Sequence, residues 1–389
     1  MQRITLIGGG FAALTAVREL RRRDRSVEIT LIVPESTFIY LPSLIWIPSG
    51  LRSGNDLRID LAGFLAHYRV RLHQGRVTAV EEGGRLVRTD AGDVRNDGLL
   101  IASGGRFIRK LPGIDQALTL CEGIGAAETL RDRLRTMDGG TVAVGFGGNP
   151  NEPAAMRGGP MFELLFGIDT LLRRQKRRDR FRLVFFNPAP QPGKRLGEKA
   201  VAGLLREMAL RGIETHLGHK LLAFDAGTVK TEGGDLAADL ILFMPGMTGP
   251  AWLQGNTWLP LSPGGFVQAD ARCKVPGTDK LYVAGDSGSY PGPDWLPKQA
   301  HLADLQARAA AANLLAELAG TPASAEFRPE LVCIVDTLDK GILVYRDLRR
   351  TFVFQARWLH WAKRLFERFY LRRYRRMSPV SAPRRTPQN

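Results

Sequence analysis

Ile4-Thr5-Leu6-Ile7-Gly8-Gly9-Gly10-Phe11-Ala12-Ala13 decides the fold. Apolar and β-branched residues run straight into glycines, and Leu14, Ala16, Val17 and Leu20 follow at a spacing that puts them on one helix face. The stretch reads as strand, turn, helix. Gly8 can take the backbone angles of a tight turn, and Gly10 lacks the Cβ that would hold a pyrophosphate away from the backbone. The helix start offers unpaired N–H groups and a positive dipole end, so Phe11 and Ala12 join Gly8 and Gly10 as candidate cofactor contacts. Ala13 stands at the last position of G-x-G-x-x-G, where alanine is tolerated.

Val27 to Val33 reads as the second strand, and Glu35 follows about 20 residues beyond the turn, where an acid would take a ribose hydroxyl. The apolar stretch from Thr37 to Trp46, with Pro42 and Ser43 inside it, must cover either core or a flat ring system. Val70–His73 and Arg76–Val80 look like sheet strands, and Val77 on the second is a further candidate contact. Asp97 to Ile101 is a buried strand whose small end residues, Ala102, Ser103 and Gly104, let backbone come close to a ligand.

A second unit starts near Cys121, with a helix over 126–137 and a strand over 141–145. Its glycine turn is degraded, because Pro150 and Pro153 sit where the helix should propagate and Arg157-Gly158-Gly159-Pro160 delays it further. The next strand, 181–186, ends in Asn187-Pro188 with no acid for a ribose, which argues against a working NAD(P) site. The chain then returns to the first unit through the strand Leu281–Val283, which ends in Ala284-Gly285-Asp286 and offers a short carboxylate to a ribityl chain. Lys298 precedes a helix running through Ala319, whose N-terminus would stabilise negative charge on a reduced ring.

At 389 residues the chain has room for two domains, and it contains no apolar run of the roughly 18 residues a spanning helix needs. A first strand at residue 3 or 4 leaves no room for a leader, so export by that route is not expected. The formal charge of +16 suggests a polyanionic surface as partner, either nucleic acid or anionic lipid. Arg21–Arg23 and 173–178 fall on helix ends, where solvated cationic faces are expected. Three scattered cysteines exclude a disulfide framework or a zinc site and leave redox chemistry; Cys273, in an expected strand before a turn, reads as structural.

From Thr351 the composition shifts to aromatics and arginines. On a helix, Trp358, Trp361, Ala362, Leu365, Phe366 and Phe369 fall on one side, and His360, Lys363, Arg364, Glu367 and Arg368 on the other. Arg372, Arg373, Arg375 and Arg376 follow, and 379–389 is expected to be disordered. Such a helix suits an anionic membrane surface; the alternative is a stripe packed on the protein's own core or on a second subunit. Arginines and aromatics segregated to opposite sides count against nucleic acid.

Over about the first 320 residues, the opening glycine turn and the ends at Ala102-Ser103-Gly104 and Ala284-Gly285-Asp286 resemble the two-dinucleotide-domain flavoproteins. Within that group the chain is similar to sulfide:quinone oxidoreductases and flavocytochrome c sulfide dehydrogenases. The likeness is carried by Phe38–Trp46, by Gly159-Pro160-Met161-Phe162-Glu163, by Pro297-Lys298, by the segment from Cys333 to Gly341 and by Trp361 to Glu367.

The resemblance implies an α/β fold of two Rossmann-like domains plus a C-terminal amphipathic membrane-association segment. The FAD domain would comprise 1–115 and 255–330, the degenerate NAD(P)-like domain 116–254, and the redox-cysteine and membrane region 331–389. It implies FAD as cofactor, a reduced sulfur donor, quinone as acceptor, a peripheral place on the cytoplasmic face of the membrane and a possible homo-oligomer, with no nucleic acid. In the family two cysteines near the flavin bridge sulfur, and a third neighbours or attaches to the flavin. Cys333 matches one bridging cysteine and Cys121 the third, with Lys298 beside the ring, but the other bridging position is Arg157. The family's two histidines fall near Gly125 and Arg195. Cys121 substitutes as partner, Cys333 works alone with an external thiol, or the sulfide chemistry is lost. The competing readings are a type II NADH dehydrogenase and a non-catalytic flavoprotein partner of a membrane complex.

Overall fold

A computed structural model describes residues 1–375, apart from the side chain of Cys121; Arg376 and the stretch 379–389 lie outside the described residues. The opening sequence forms β1 (Arg3–Ile7) and α1 (Phe11–Arg23). β2 (Glu28–Val33), β3 (Val70–Gln74) and β4 (Gly98–Ile101) join β1 in a parallel sheet. A second domain holds α2 (Ile124–Thr136), β5 (Gly140–Phe146), α3 (Gly159–Arg174), β6 (Phe181–Asn187), β7 (Glu214–Leu217) and β8 (Leu240–Met244). Its strands are parallel in the order β7-β6-β5-β8. The chain returns to the first sheet as β9 (Leu281–Val283), completing the order β9-β4-β1-β2-β3, and continues into α4 (Ala300–Leu318). β10 (Glu330–Asp336), β11 (Gly341–Asp347) and β12 (Thr351–Ala356) make an antiparallel sheet, and α5 (Trp358–Arg375) ends the described chain.

Local physics accounts for these elements. β1, β4 and β9 are near-continuous apolar runs because helices and covering layers bury both faces of a parallel sheet. Val77–Glu81 alternates instead, and it pairs outside that sheet with Leu86–Thr89 in an antiparallel layer. The apolar segment 37–46 forms a short strand and a 3-10 turn, and Leu44, Ile45 and Trp46 bury into the second domain's core. Helix α3 begins only at Gly159, as the prolines before it require.

Two expectations are corrected. Cys273 lies in a turn with a left-handed φ of +64°, not in a strand, although it is buried as expected. The basic runs are not simply solvated: Arg21 is buried with its guanidinium on the carbonyls of Tyr68, Arg25, Val27 and Arg69, and Arg173 and Arg178 hold the fully buried Asp169. On α5 it is the charged side that faces the protein body, not the aromatic stripe. His360, Lys363 and Glu367 pack inward on Asp336, Glu163 and Arg52, while Trp358, Trp361, Leu365, Phe366 and Phe369 are exposed. Each inward charge meets an opposite charge or a carboxylate acceptor, which lets a polar face pack against a protein interior.

Candidate functional site

The carboxyl ends of β1, β4 and β9 converge on the N-terminus of α1, the place where open parallel sheets bind ligands. Ala102 N–H donates to Ile7 O at 2.8 Å and Ala284 N–H to Ile101 O at 2.9 Å, which ties the three ends together. Gly8 has φ +116°, and a Cβ there would lie 2.3 Å from Ala102 O. Only glycine fits. A Cβ on Gly10 or Gly104 would meet nothing within 4 Å, so both border open space. Gly10 caps α1 in extended backbone with no side-chain cap and no acid in the first turn, leaving the helix dipole available to an anion.

Most of the expected contacts gather around this cradle. Ala12 packs under Gly285, where an added Cβ would lie 3.1 Å from the alanine's own. Ser287 Oγ donates to Gly104 O at 3.1 Å and lies 3.4 Å from Ser103 Oγ, which also accepts from Trp252 Nε1 at 3.2 Å. Glu35 is exposed in the loop after β2. Pro42 is half-buried and Ser43 buried in the 3-10 turn. Phe11 packs edge-on against Phe38 at 5.1 Å and tilted against Tyr370 of α5 at 5.6 Å, which makes its ring part of an aromatic cluster. Val77 packs at the edge of the core cluster that contains Ile32 and Val80.

Asp286 is ion-paired with Arg157, the residue standing at the expected second cysteine position. Lys298 is buried, donates from Nζ to Gly288 O at 2.5 Å and sits 3.9 Å over the Phe266 ring. Burial, reinforced by Arg157 and Arg195, pulls its ammonium down to about 8 against the opposing pull of Asp286 and Glu152.

Cys333 lies on β10 beside the N-terminus of α3, where a Cβ on Gly159 would stand 3.8 Å from Sγ. Burial and the charge of Glu163 push its thiol up to about 12, with Lys363 opposing. Around it lies a polar cluster that the sequence reading did not assign a role. Glu163 accepts from Asp336 N at 3.0 Å and from Lys363 Nζ, and Lys363 also donates to Ile334 O at 3.0 Å. Asp336 in turn accepts from Trp46 Nε1 at 2.6 Å and from His360 Nδ1 at 2.9 Å. Burial, with Asp336 adding to it, raises the Glu163 carboxyl to about 7 although Lys363 opposes. The one available signal was that Trp46, Glu163, Asp336 and Lys363 fall inside four of the five segments that carried the resemblance.

Cys121 lies in the short 3-10 turn Leu120–Glu122 before α2, and its side chain is outside the described atoms. At the degraded turn, Asn187 Nδ2 donates to Phe146 O at 2.8 Å and is buried, which latches β6 to β5.

The family described as pyridine nucleotide-disulphide oxidoreductase matches residues 2–307. A sulfide-quinone reductase of Aquifex aeolicus (strain VF5) is 22% identical over 394 residues, spanning 95% of this chain and 90% of its own. A nitric oxide reductase FlRd-NAD(+) reductase of Klebsiella pneumoniae (strain 342) is 34% identical over 149 residues, only 36% of this chain and 40% of its own. Among solved structures, the sulfide:quinone oxidoreductase of Aquifex aeolicus superposes with a TM-score of 0.88 at 19% identity, covering 97% of this chain and 92% of that one. NDH2 from Plasmodium falciparum gives 0.73 at 13% identity, covering 96% and 94%. At these identities the structural likeness is one of fold.

Proposed function

Because the chain belongs to the pyridine nucleotide-disulphide oxidoreductase family, we propose that this FAD-dependent oxidoreductase passes two electrons from a reduced sulfur species to a membrane quinone. Cys333 is the residue that meets the donor. The observation that carries the reading is the position of that thiol, beside a helix N-terminus and against the buried pair of Glu163 and Lys363.

The cradle suits FAD, since Gly10 adds no Cβ where the uncapped first turn of α1 presents its N–H groups to a diphosphate, and Asp286 offers a carboxylate for a ribityl chain. Bound there, FAD would supply an acceptor for an electron pair. Gly8, Gly10, Ala12, Ala102, Ser103, Gly104, Gly285 and Asp286 would hold it, and Lys298 would offset negative charge on its ring.

Cys333 is reactive only as a thiolate, and burial opposes that form. The N-terminus of α3 favours it, and a carboxylate poised near 7 is matched to removing protons at neutral pH. Lys363 keeps Glu163 in place and His360 does the same for Asp336. With Arg157 committed to Asp286, the reading assigns sulfur transfer to Cys333 and an external thiol, not to a bridged pair.

The acceptor side rests on α5. Its exposed Trp358, Trp361, Leu365, Phe366 and Phe369, continued by Phe352 and Phe354 of β12, form an apolar face suited to lipid on the cytoplasmic side. No helix among the described residues is long and apolar enough to cross a membrane. NADH as donor is disfavoured by Asn187, whose side chain is tied to Phe146 O where a ribose-binding acid would stand.

Anaerobic mixing of the flavin-loaded protein with sulfide, with sulfide plus a thiol, and with NADH tests the reading. Bleaching of the yellow absorbance by a sulfur donor, fastest with thiol present, is expected; bleaching by NADH alone would overturn it.

A further inference from the structure

Away from the glycine cradle, a cavity of about 1260 Å³ opens between the C-terminal half of α1, the residues His67–Arg69 and Arg308 of α4. Its described lining carries seven arginines against one carboxylate, Glu19. Several of those cations are already engaged. Arg21 serves backbone carbonyls, and Arg22 and Arg23 both grip Glu19 at 2.6 Å. Arg18, Arg25 and Arg308 make no ion pair among the described residues; Arg308 lies in the field of Asp304, and Arg18 reaches the Tyr68 side chain while its Nε is enclosed without a hydrogen-bond partner.

The helix dipole accounts for Arg21, Arg22 and Arg23 in the last turn of α1. It does not account for Arg18, which precedes that turn, or for Arg308 on another helix. Clustered like charges repel one another, and an enclosed N–H without an acceptor costs free energy. A phosphate group answers both, because guanidinium forks match its oxygens and its charge offsets theirs.

The cavity also borders α5, on that helix's inward side, where Arg18 of the lining faces Tyr370 and Tyr374. Thr15 in its lining donates to Asp304 Oδ1 at 2.6 Å, and Tyr370 of α5 donates to the same carboxylate at 3.1 Å. Phe366 and Phe369, the neighbours of Tyr370 on that helix, are exposed. We infer that this cavity holds the phosphate of an anionic phospholipid at the border of the membrane-facing patch. The inference rests on the membrane reading of α5 and adds to it a second, charge-specific contact from the FAD domain.

Vesicle flotation of the flavin-loaded full chain tests it, using phosphatidylcholine alone and phosphatidylcholine with phosphatidylglycerol. The triple variant Arg18→Gln, Arg25→Gln, Arg308→Gln is compared with Arg135→Gln, Arg180→Gln, Arg206→Gln, which removes three exposed charges elsewhere. At about 1 kcal/mol per arginine at an anionic surface, the cavity variant should lose at least about tenfold of the gain that phosphatidylglycerol gives. Binding to phosphatidylcholine alone should be unchanged, and the control should keep most of the gain. Equal losses in the two variants would overturn the lipid site while leaving α5 as anchor. Displacement of the wild type by low concentrations of inorganic phosphate would overturn the lipid as ligand. Failure of the wild type to bind either vesicle would overturn the membrane reading and this site with it.

Discussion

At residue scale the chemistry turns on proton positions around Cys333. A thiol raised to about 12 should alkylate slowly with iodoacetamide at neutral pH in the folded protein, and removing the Glu163 charge should speed it several-fold in Glu163→Gln, as read by mass spectrometry. Glu163 has a second signature. Its folded value of about 7 lies above the ordinary 4.5, so the folded chain holds a proton that the unfolded chain has lost between those values. Its contribution to stability is full below about 4.5 and declines as pH rises to about 7. The urea midpoint should therefore fall across that window more in the wild type than in Glu163→Gln. Arg157→Cys places a second thiol where relatives are expected to bridge sulfur and frees Asp286 of its cation. Sulfide turnover in that variant should no longer depend on an added thiol, which a steady-state quinone assay with and without thiol would read.

At the scale of elements, α5 separates anchoring from folding. Trp361→Ser with Phe366→Ser should weaken vesicle binding and leave the melting temperature nearly unchanged, because both rings already face solvent. Glu367→Ala should do the reverse. It strands Arg52, to which Glu367 Oε2 is bonded at 3.0 Å, and should lower stability by about 2 kcal/mol, on the low side for a buried pair because Arg52 keeps some solvent. This helix also marks where the sequence stopped being legible. Its amphipathicity was plain, but periodicity gives the direction of an apolar face and not the side on which the protein lies. The partners that bury the charged side, Glu163 and Arg52, are 200 and 315 residues away. By contrast, β1, the glycine turn and α1 were readable because the turn geometry and helix start are decided within ten neighbouring residues.

Across the whole molecule, two parallel sheets of like order make a cradle at the strand ends of the first domain and leave a closed turn in the second. Order along the chain disclosed that asymmetry, since prolines and a missing acid are local features. The polar cluster at Cys333 was not disclosed, because it is assembled from Trp46, Glu163, Asp336, His360 and Lys363, drawn from four separate stretches of the chain. Gly8→Val should abolish flavin retention, since any Cβ there meets Ala102 O and φ is positive. Yellow absorbance after gel filtration reads that directly. Electron entry at Cys333 is tested most directly by an anaerobic stopped-flow comparison of wild type and Cys333→Ser, each carrying equal flavin and mixed with sulfide plus thiol. The wild type should bleach while the variant stays yellow at least about a hundredfold longer, as expected for loss of a nucleophile. Equal bleaching in both would contradict the assignment of electron entry to Cys333.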